Sequence, residues 1–196
     1  SKAAAYRRTE KLREQGLLRL VGSVIVGDSG RPENIYCNSW RPKRDQFAHE
    51  LLLTDYLVCY PNADVLRGWS VNRRLRPDAE MSLDGYFYNV ELDTGEQSYA
   101  QVRRRQRRYA GSQDFLLYVT QSSRRLEGLR KNADPLVRSI ALFTTLADAQ
   151  HDPAGDIYTD FFGERTSIVD SASRSSTPVE KPVEEPVENP DQSFNT

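Results

Sequence analysis

Arg76 to Asp93 reads R-P-D-A-E-M-S-L-D-G-Y-F-Y-N-V-E-L-D. Asp84-Gly85 is a turn dipeptide between two runs of strand character, which predicts a β-hairpin with Pro77-Asp78 on its first strand and Glu91 and Asp93 on its second. Strand side chains alternate, so Phe87, Asn89, Glu91 and Asp93 share one face while Tyr88, Val90 and Leu92 share the other. One face is then acidic and the other is core. If Asp78 lies across the hairpin from Glu91, three carboxylates converge, and such a cluster repels itself unless protons or a cation neutralise it. A hard divalent ion, Mg²⁺ or Mn²⁺, suits such oxygen ligands. The same spacing also suits acids that do no more than solvate the end of a hairpin.

The flanking segments predict what packs on this hairpin. Glu96 to Tyr109 reads as a helix bearing Arg103, Arg104, Arg105, Arg107 and Arg108, five arginines within six positions. They cannot share one face. Inward ones could meet the carboxylates or a phosphate, Arg105 among them, while outward ones could track a nucleic-acid backbone or pair with surface acids. Phe115 to Thr120 is a continuous apolar run, predicting a buried parallel strand, followed by a basic helix from Ser122 to Lys131 and a strand from Ile140 to Leu146. Ile157 to Ile168, with Tyr158, Phe161 and Phe162, is the last expected piece of packed chain. Upstream, Gln46 to Tyr60 predicts a helix with Phe47, Leu51 and Val58 on its apolar face. It also carries His49 and Glu50. Glu50 could approach a cation from that helix, and His49 reads either as a core histidine satisfied by the backbone or as a contributor to the site.

Pro77-Asp78 followed by Glu91-Leu92-Asp93 resembles the P-D…(D/E)-x-K arrangement of restriction-endonuclease-like nucleases. Within that group the chain is similar to the replication-relaxation family of plasmids and other mobile elements, which joins a winged-helix DNA-binding domain to a nuclease-like domain. Glu91, Asp93, Gly95 and Tyr109 stand in register with that family's E-x-D-x-G-T-E strand and K-L-x-x-Y helix. The chain departs from the pattern at Glu96-Gln97, and Arg105 takes the lysine position. The resemblance implies a metal held by Asp78 and Glu91, with Asp93 and Glu50 as further candidate ligands, and catalytic roles for Asp78, Glu91 and a basic Arg105 that neutralises phosphate charge. Arginine could not readily move a proton, because its pKa is too high. A catalytically degenerate DNA-binding or initiation-control protein is the alternative, and an interaction scaffold a more distant one.

Charge is unevenly spread along the 196 residues despite a net of −1. Residues 1–44 hold ten Lys or Arg against four acids, whereas residues 166–196 hold two against six. A basic front suggests a polyanion partner, with Arg7, Arg8 and Lys11 on an expected helix from Ala3 to Gln15 as DNA contacts. Expected strands from Leu17 to Val26 and Asn34 to Trp40, joined by the turn Gly27 to Gly30, complete what resembles the second half of a winged helix. An ordinary helix and hairpin propping the main domain is the plainer reading. The P-V-E repeats from Pro178 to Glu188 predict a disordered or extended acidic tail that could recruit a protein partner.

The expected organisation is a partial winged-helix module over 1–44, an α/β restriction-endonuclease-like domain with a mixed sheet over 45–168, and a tail over 169–196. Cys37 and Cys59 are far apart and lack zinc-site spacing, which suggests thiols in a reducing, cytoplasmic setting. No apolar run approaches bilayer-spanning length. The chain opens on Ser1 rather than Met, which suggests truncation or processing upstream.

Overall fold

The structure is a computed structural model that describes residues 2–25, 32–37, 43–67, 72 and 74–175. Helix α1 (Lys2–Glu14) leads into a two-stranded antiparallel sheet of β1 (Arg19–Ile25) and β2 (Pro32–Cys37). The turn expected at Gly27–Gly30, the end of the second strand at Trp40 and the repeats beyond Ser175 lie outside the described residues. Helix α2 (Phe47–Leu57) follows, and the ring of Phe47 lies so close to Gly22 of β1 that a Cβ there would collide with it.

The main sheet has seven strands in chain order: β3 (Asp64–Arg67), β4 (Ala79–Leu83), β5 (Tyr86–Asp93), β6 (Phe115–Thr120), β7 (Ala141–Thr145), β8 (Tyr158–Asp160) and β9 (Arg165–Thr166). β5, β6 and β7 run parallel, and every other pairing is antiparallel. The two parallel steps need crossovers, supplied by α3 (Tyr99–Gln106) and α4 (Ser123–Lys131). Short α5 (Leu146–His151) follows β7, and α6 (Ile168–Ser175) carries helix past the boundary expected at Ile168. Among the described residues no helix is long and apolar enough to cross a membrane.

Asp84 and Gly85 both take positive φ, 52° and 80°, so the hairpin turns through the two-residue form whose twist matches its strands. β5 is buried on both faces from Tyr88 to Asp93, because helices cover both sides of the sheet. Tyr88, Val90 and Leu92 join Leu53, Tyr56 and Leu57 of α2 in one core layer. The opposite layer gathers Val102 of α3, Tyr109, Leu126 and Leu129 of α4 with Leu116, Tyr118 and Phe143. The face expected to be acidic is therefore roofed by α3. Two apolar assignments do not hold: Val58 and Phe162 are 66% and 70% exposed. Helix α2 ends at Leu57, so Val58 turns away, and Phe162 sits at the tip of a turn in which Asp160 Oδ1 accepts from the N–H groups of Phe162, Gly163 and Glu164.

Helices α3 and α4 meet where Tyr99 crosses Gly128, leaving no room for a Cβ. Tyr99 also lies 4.4 Å beneath the Arg125 guanidinium. In an ordinary helix interior Gly→Ala gains up to about 1 kcal/mol. Here Gly128→Ala is expected to lose about 1–3 kcal/mol by overpacking the ring, read as a lower melting temperature; an unchanged or raised one would show that Tyr99 moves aside freely.

Candidate functional site

The hairpin places its acids as the sequence pattern suggests. Asp78 N–H donates to Val90 O (3.0 Å) and Leu92 N–H donates to Asp78 Oδ2 (2.9 Å), which fixes the Asp78 side chain against β5 beside Glu91. Arg105, on the inward side of α3, reaches both carboxylates with one nitrogen: its Nη2 lies 3.1 Å from Asp78 Oδ1 and in close contact with Glu91 Oε2. That second contact is an ion pair without hydrogen-bond geometry, so Glu91 Oε2 is buried and lacks a directed donor. Tyr109 Oη–H donates to Glu91 Oε1 at 2.6 Å. Tyr109 follows Arg105 by one helical turn, and so shares its face.

The ion pairs continue on the other side of Asp78. His49 Nε2 stands 3.3 Å from Asp78 Oδ2, and His49 Nδ1 stands 3.7 Å from Glu50 Oε1. Glu50 Oε2 pairs closely with Arg67 of β3, whose Nη1 donates to Thr54 Oγ1 at 2.8 Å. Cations and carboxylates therefore alternate in space: Arg67, Glu50, His49, Asp78, Arg105, Glu91. With Glu91 ionised, three positive groups balance three negative ones. His49 is thus neither a backbone-satisfied core histidine nor isolated; it is the link between Glu50 and Asp78.

Asp93 belongs to a different pairing. Arg125 embraces it with Nε to Oδ1 at 2.8 Å and Nη2 to Oδ2 at 2.9 Å, and Asp93 Oδ1 also accepts from Gly95 N–H. β5 and β6 end level at Asp93 and Thr120, and the Ser122 cap starts α4 so that its first turn rises over Asp93. Arg125, Arg67 and Tyr109 are contributors that motif reading did not assign roles.

His49, Glu50, Asp78, Glu91, Asp93 and Arg105 line a cleft of about 470 Å³ at the carboxyl end of β5, between α2 and α3, with Asp45, Glu96 and Tyr118 also on its wall. Such ends of parallel strands are where open α/β sheets receive ligands. Burial and the Asp78 charge push the Glu91 carboxyl up to about 8, against the pull of Arg105 and Tyr109. Asp78 itself, raised by burial but lowered more by His49, Arg105 and the Leu92 N–H, lies below the ordinary carboxylate range. Asp78 first and Glu50 second lift His49 to about 10. Burial pulls Arg105 down, and Glu91 and Asp78 outweigh it, so its charge is permanent.

Of the other sequence candidates, the arginines are separated cleanly by α3 and the 3₁₀ turn that continues it, Arg107–Tyr109. Val102, Gln106 and Tyr109 are buried with Arg105 beside them, while Arg103, Arg104, Arg107 and Arg108 form one exposed stripe. Arg103 and Arg107 share Asp134, at 3.4 and 2.8 Å, whereas Arg104 and Arg108 pair with no carboxylate among the described residues. Arg7, Arg8 and Lys11 are exposed on α1.

A divalent ion does not fit this arrangement. Mg²⁺ asks for near-octahedral oxygens at about 2.0–2.1 Å, yet Asp78 and Glu91 enclose a guanidinium and Glu50 is engaged by Arg67 and His49. Among the described residues no three His, Cys, Asp or Glu side chains stand together as a metal-binding group. Comparison with known proteins finds no family model that matches the chain and no matching curated protein.

The charge pattern dictates a pH dependence. The raised His49 value means that its stabilising charge is fully present below about 6.5 and lost as pH rises towards 10. The raised Glu91 value acts in the same direction, its contribution being fully present below about 4.5 and lost as pH rises to about 8. Melting temperature should therefore fall between pH 6.5 and 10, and His49→Gln should be less stable at pH 6.5 with a shallower fall above it. A slope identical to that of the parent would show that His49 is not charged in the fold.

Proposed function

We propose that the protein binds DNA through the outward arginine stripe of α3, aided by α1, on an α/β domain of restriction-endonuclease-like type. The observation that carries this reading is the stripe itself: of four exposed guanidinium groups on two adjacent turns, Arg103 and Arg107 share Asp134 and Arg104 and Arg108 meet no carboxylate among the described residues, which leaves a surplus of positive charge on one face. Arginine forks suit phosphate oxygens, and a contact made to the backbone carries affinity with little sequence preference. The order of hairpin, helix, parallel strand, helix, parallel strand supports the nuclease-like assignment, and the helix and hairpin at the front support a partial winged-helix module. The setting of plasmid or mobile-element replication, relaxation or transfer rests on the sequence resemblance alone.

A second reading, that of an active metal-dependent endonuclease or nickase, is favoured by one observation: Asp78, Glu91 and Arg105 converge in a cleft at the carboxyl end of β5. The closed ion pairing favours a protein that keeps the arrangement and binds DNA with little or no cleavage. Conversion of supercoiled to open-circular plasmid with Mg²⁺ or Mn²⁺ separates the two, and rapid nicking abolished by Glu91→Gln would establish the enzyme.

For binding, affinity for duplex DNA should fall steeply between about 50 and 200 mM salt, as neutralised phosphates release counterions. Arg104→Ala with Arg108→Ala should weaken binding at least several-fold and reduce the salt slope by about two contacts. Binding unaffected by either the salt or the double substitution would remove the stripe from the interface.

A further inference from the structure

We infer that the Arg105 guanidinium is a built-in counter-cation that closes a latent divalent-metal site formed by Asp78 and Glu91, so that the natural protein is metal-independent and loss of the guanidinium makes its fold metal-responsive. This goes beyond the DNA-binding reading and stands whether or not the chain binds DNA.

The two carboxylates face each other across adjacent strands with one nitrogen between them. Three of their four oxygens have directed partners: Asp78 Oδ1 takes Arg105 Nη2, Asp78 Oδ2 takes Leu92 N–H and the His49 cation, and Glu91 Oε1 takes Tyr109 Oη–H. The fourth, Glu91 Oε2, is almost wholly buried and touches Arg105 without a directed hydrogen bond. Once Glu91 is ionised, an oxygen in that position has charge to share and no directed donor, which is what a cation ligand offers. The guanidinium satisfies its charge only.

A planar, permanently charged fork satisfies two carboxylates without demanding octahedral geometry or shedding a tightly held water shell. It also arrives tethered to α3, whose inward face Val102, Gln106 and Tyr109 fixes. An intramolecular cation does not dilute away, so a free ion at millimolar concentration competes poorly with it. Removing it leaves two buried or half-buried carboxylates with only His49 to offset them, a state that a small divalent ion would relieve.

The test is thermal unfolding of the full chain with and without about 10 mM Mn²⁺, for the parent, Arg105→Ala, Arg105→Gln, and each paired with Glu91→Gln. The parent melting temperature should move by less than about 1 °C on adding Mn²⁺. The Arg105 variants should melt lower without metal and regain about 5 °C or more with it, as a ligand specific to the folded state requires. Adding Glu91→Gln should erase that gain. A parent stabilised by Mn²⁺ in a manner lost in Glu91→Gln would overturn the inference, because the metal would then displace the guanidinium. Arg105 variants that fold but ignore Mn²⁺ would overturn it too, as would failure of both variants to fold in the presence of Mn²⁺.

Discussion

A carboxylate built into the middle of a covered sheet has to be neutralised, and the rest of this molecule is arranged around that requirement. Glu91 sits on β5, the first of the three parallel strands, with 1% of its surface exposed. Leaving such a charge unpaired would cost several kcal/mol. Arg105 answers from α3 and Tyr109 from the turn after it, Asp78 shares Arg105 from just before β4, and His49, Glu50 and Arg67 extend the alternation to α2 and β3. Five elements far apart in sequence are thereby tied at one end of the sheet. Their apolar faces bind them along its length, and this chain of charges ties α2 and α3 to the strand ends.

The same arrangement gives α3 and the 3₁₀ turn after it two different faces. Together they turn Val102, Arg105, Gln106 and Tyr109 inward and Arg103, Arg104, Arg107 and Arg108 outward. Asp134 restrains two of the outer four and anchors the helix end, since its N–H donates to Gln106 Oε1 at 2.8 Å. The exposed arginine stripe and the carboxylate cleft consequently lie on different sides of this segment. A nucleic acid resting on the stripe need not enter the cleft, which accords with binding that is independent of chemistry there.

Much of this was legible in the residues. Asp84-Gly85 announces a two-residue turn, the alternation of Phe87 to Asp93 separates acid from core, and Phe115–Thr120 is apolar enough to declare a doubly covered strand. The division of the five arginines follows from helical spacing once Val102 and Tyr109 are recognised as the buried side. Other features depend on contacts that no local pattern encodes. β3 is a four-residue strand with mostly exposed side chains, recognisable only because β4 pairs with it. Asp93 looks like a third ligand until Arg125, thirty-two positions on, claims both its oxygens. Val58 continues the helical apolar pattern but falls just past the helix end, where periodicity ceases to apply.

The central claim is that Arg105 and Glu91 act as one unit. A double-mutant cycle on folding free energy, using Glu91→Gln, Arg105→Gln and the pair together in chemical denaturation at neutral pH, measures this directly. Each single substitution should destabilise the protein, and the double should be less harmful than their sum by about 1–3 kcal/mol, the coupling expected of residues in one ion-pair network. Effects that add to within about 0.5 kcal/mol would mean that the two side chains are neighbours without mutual dependence, contradicting the account.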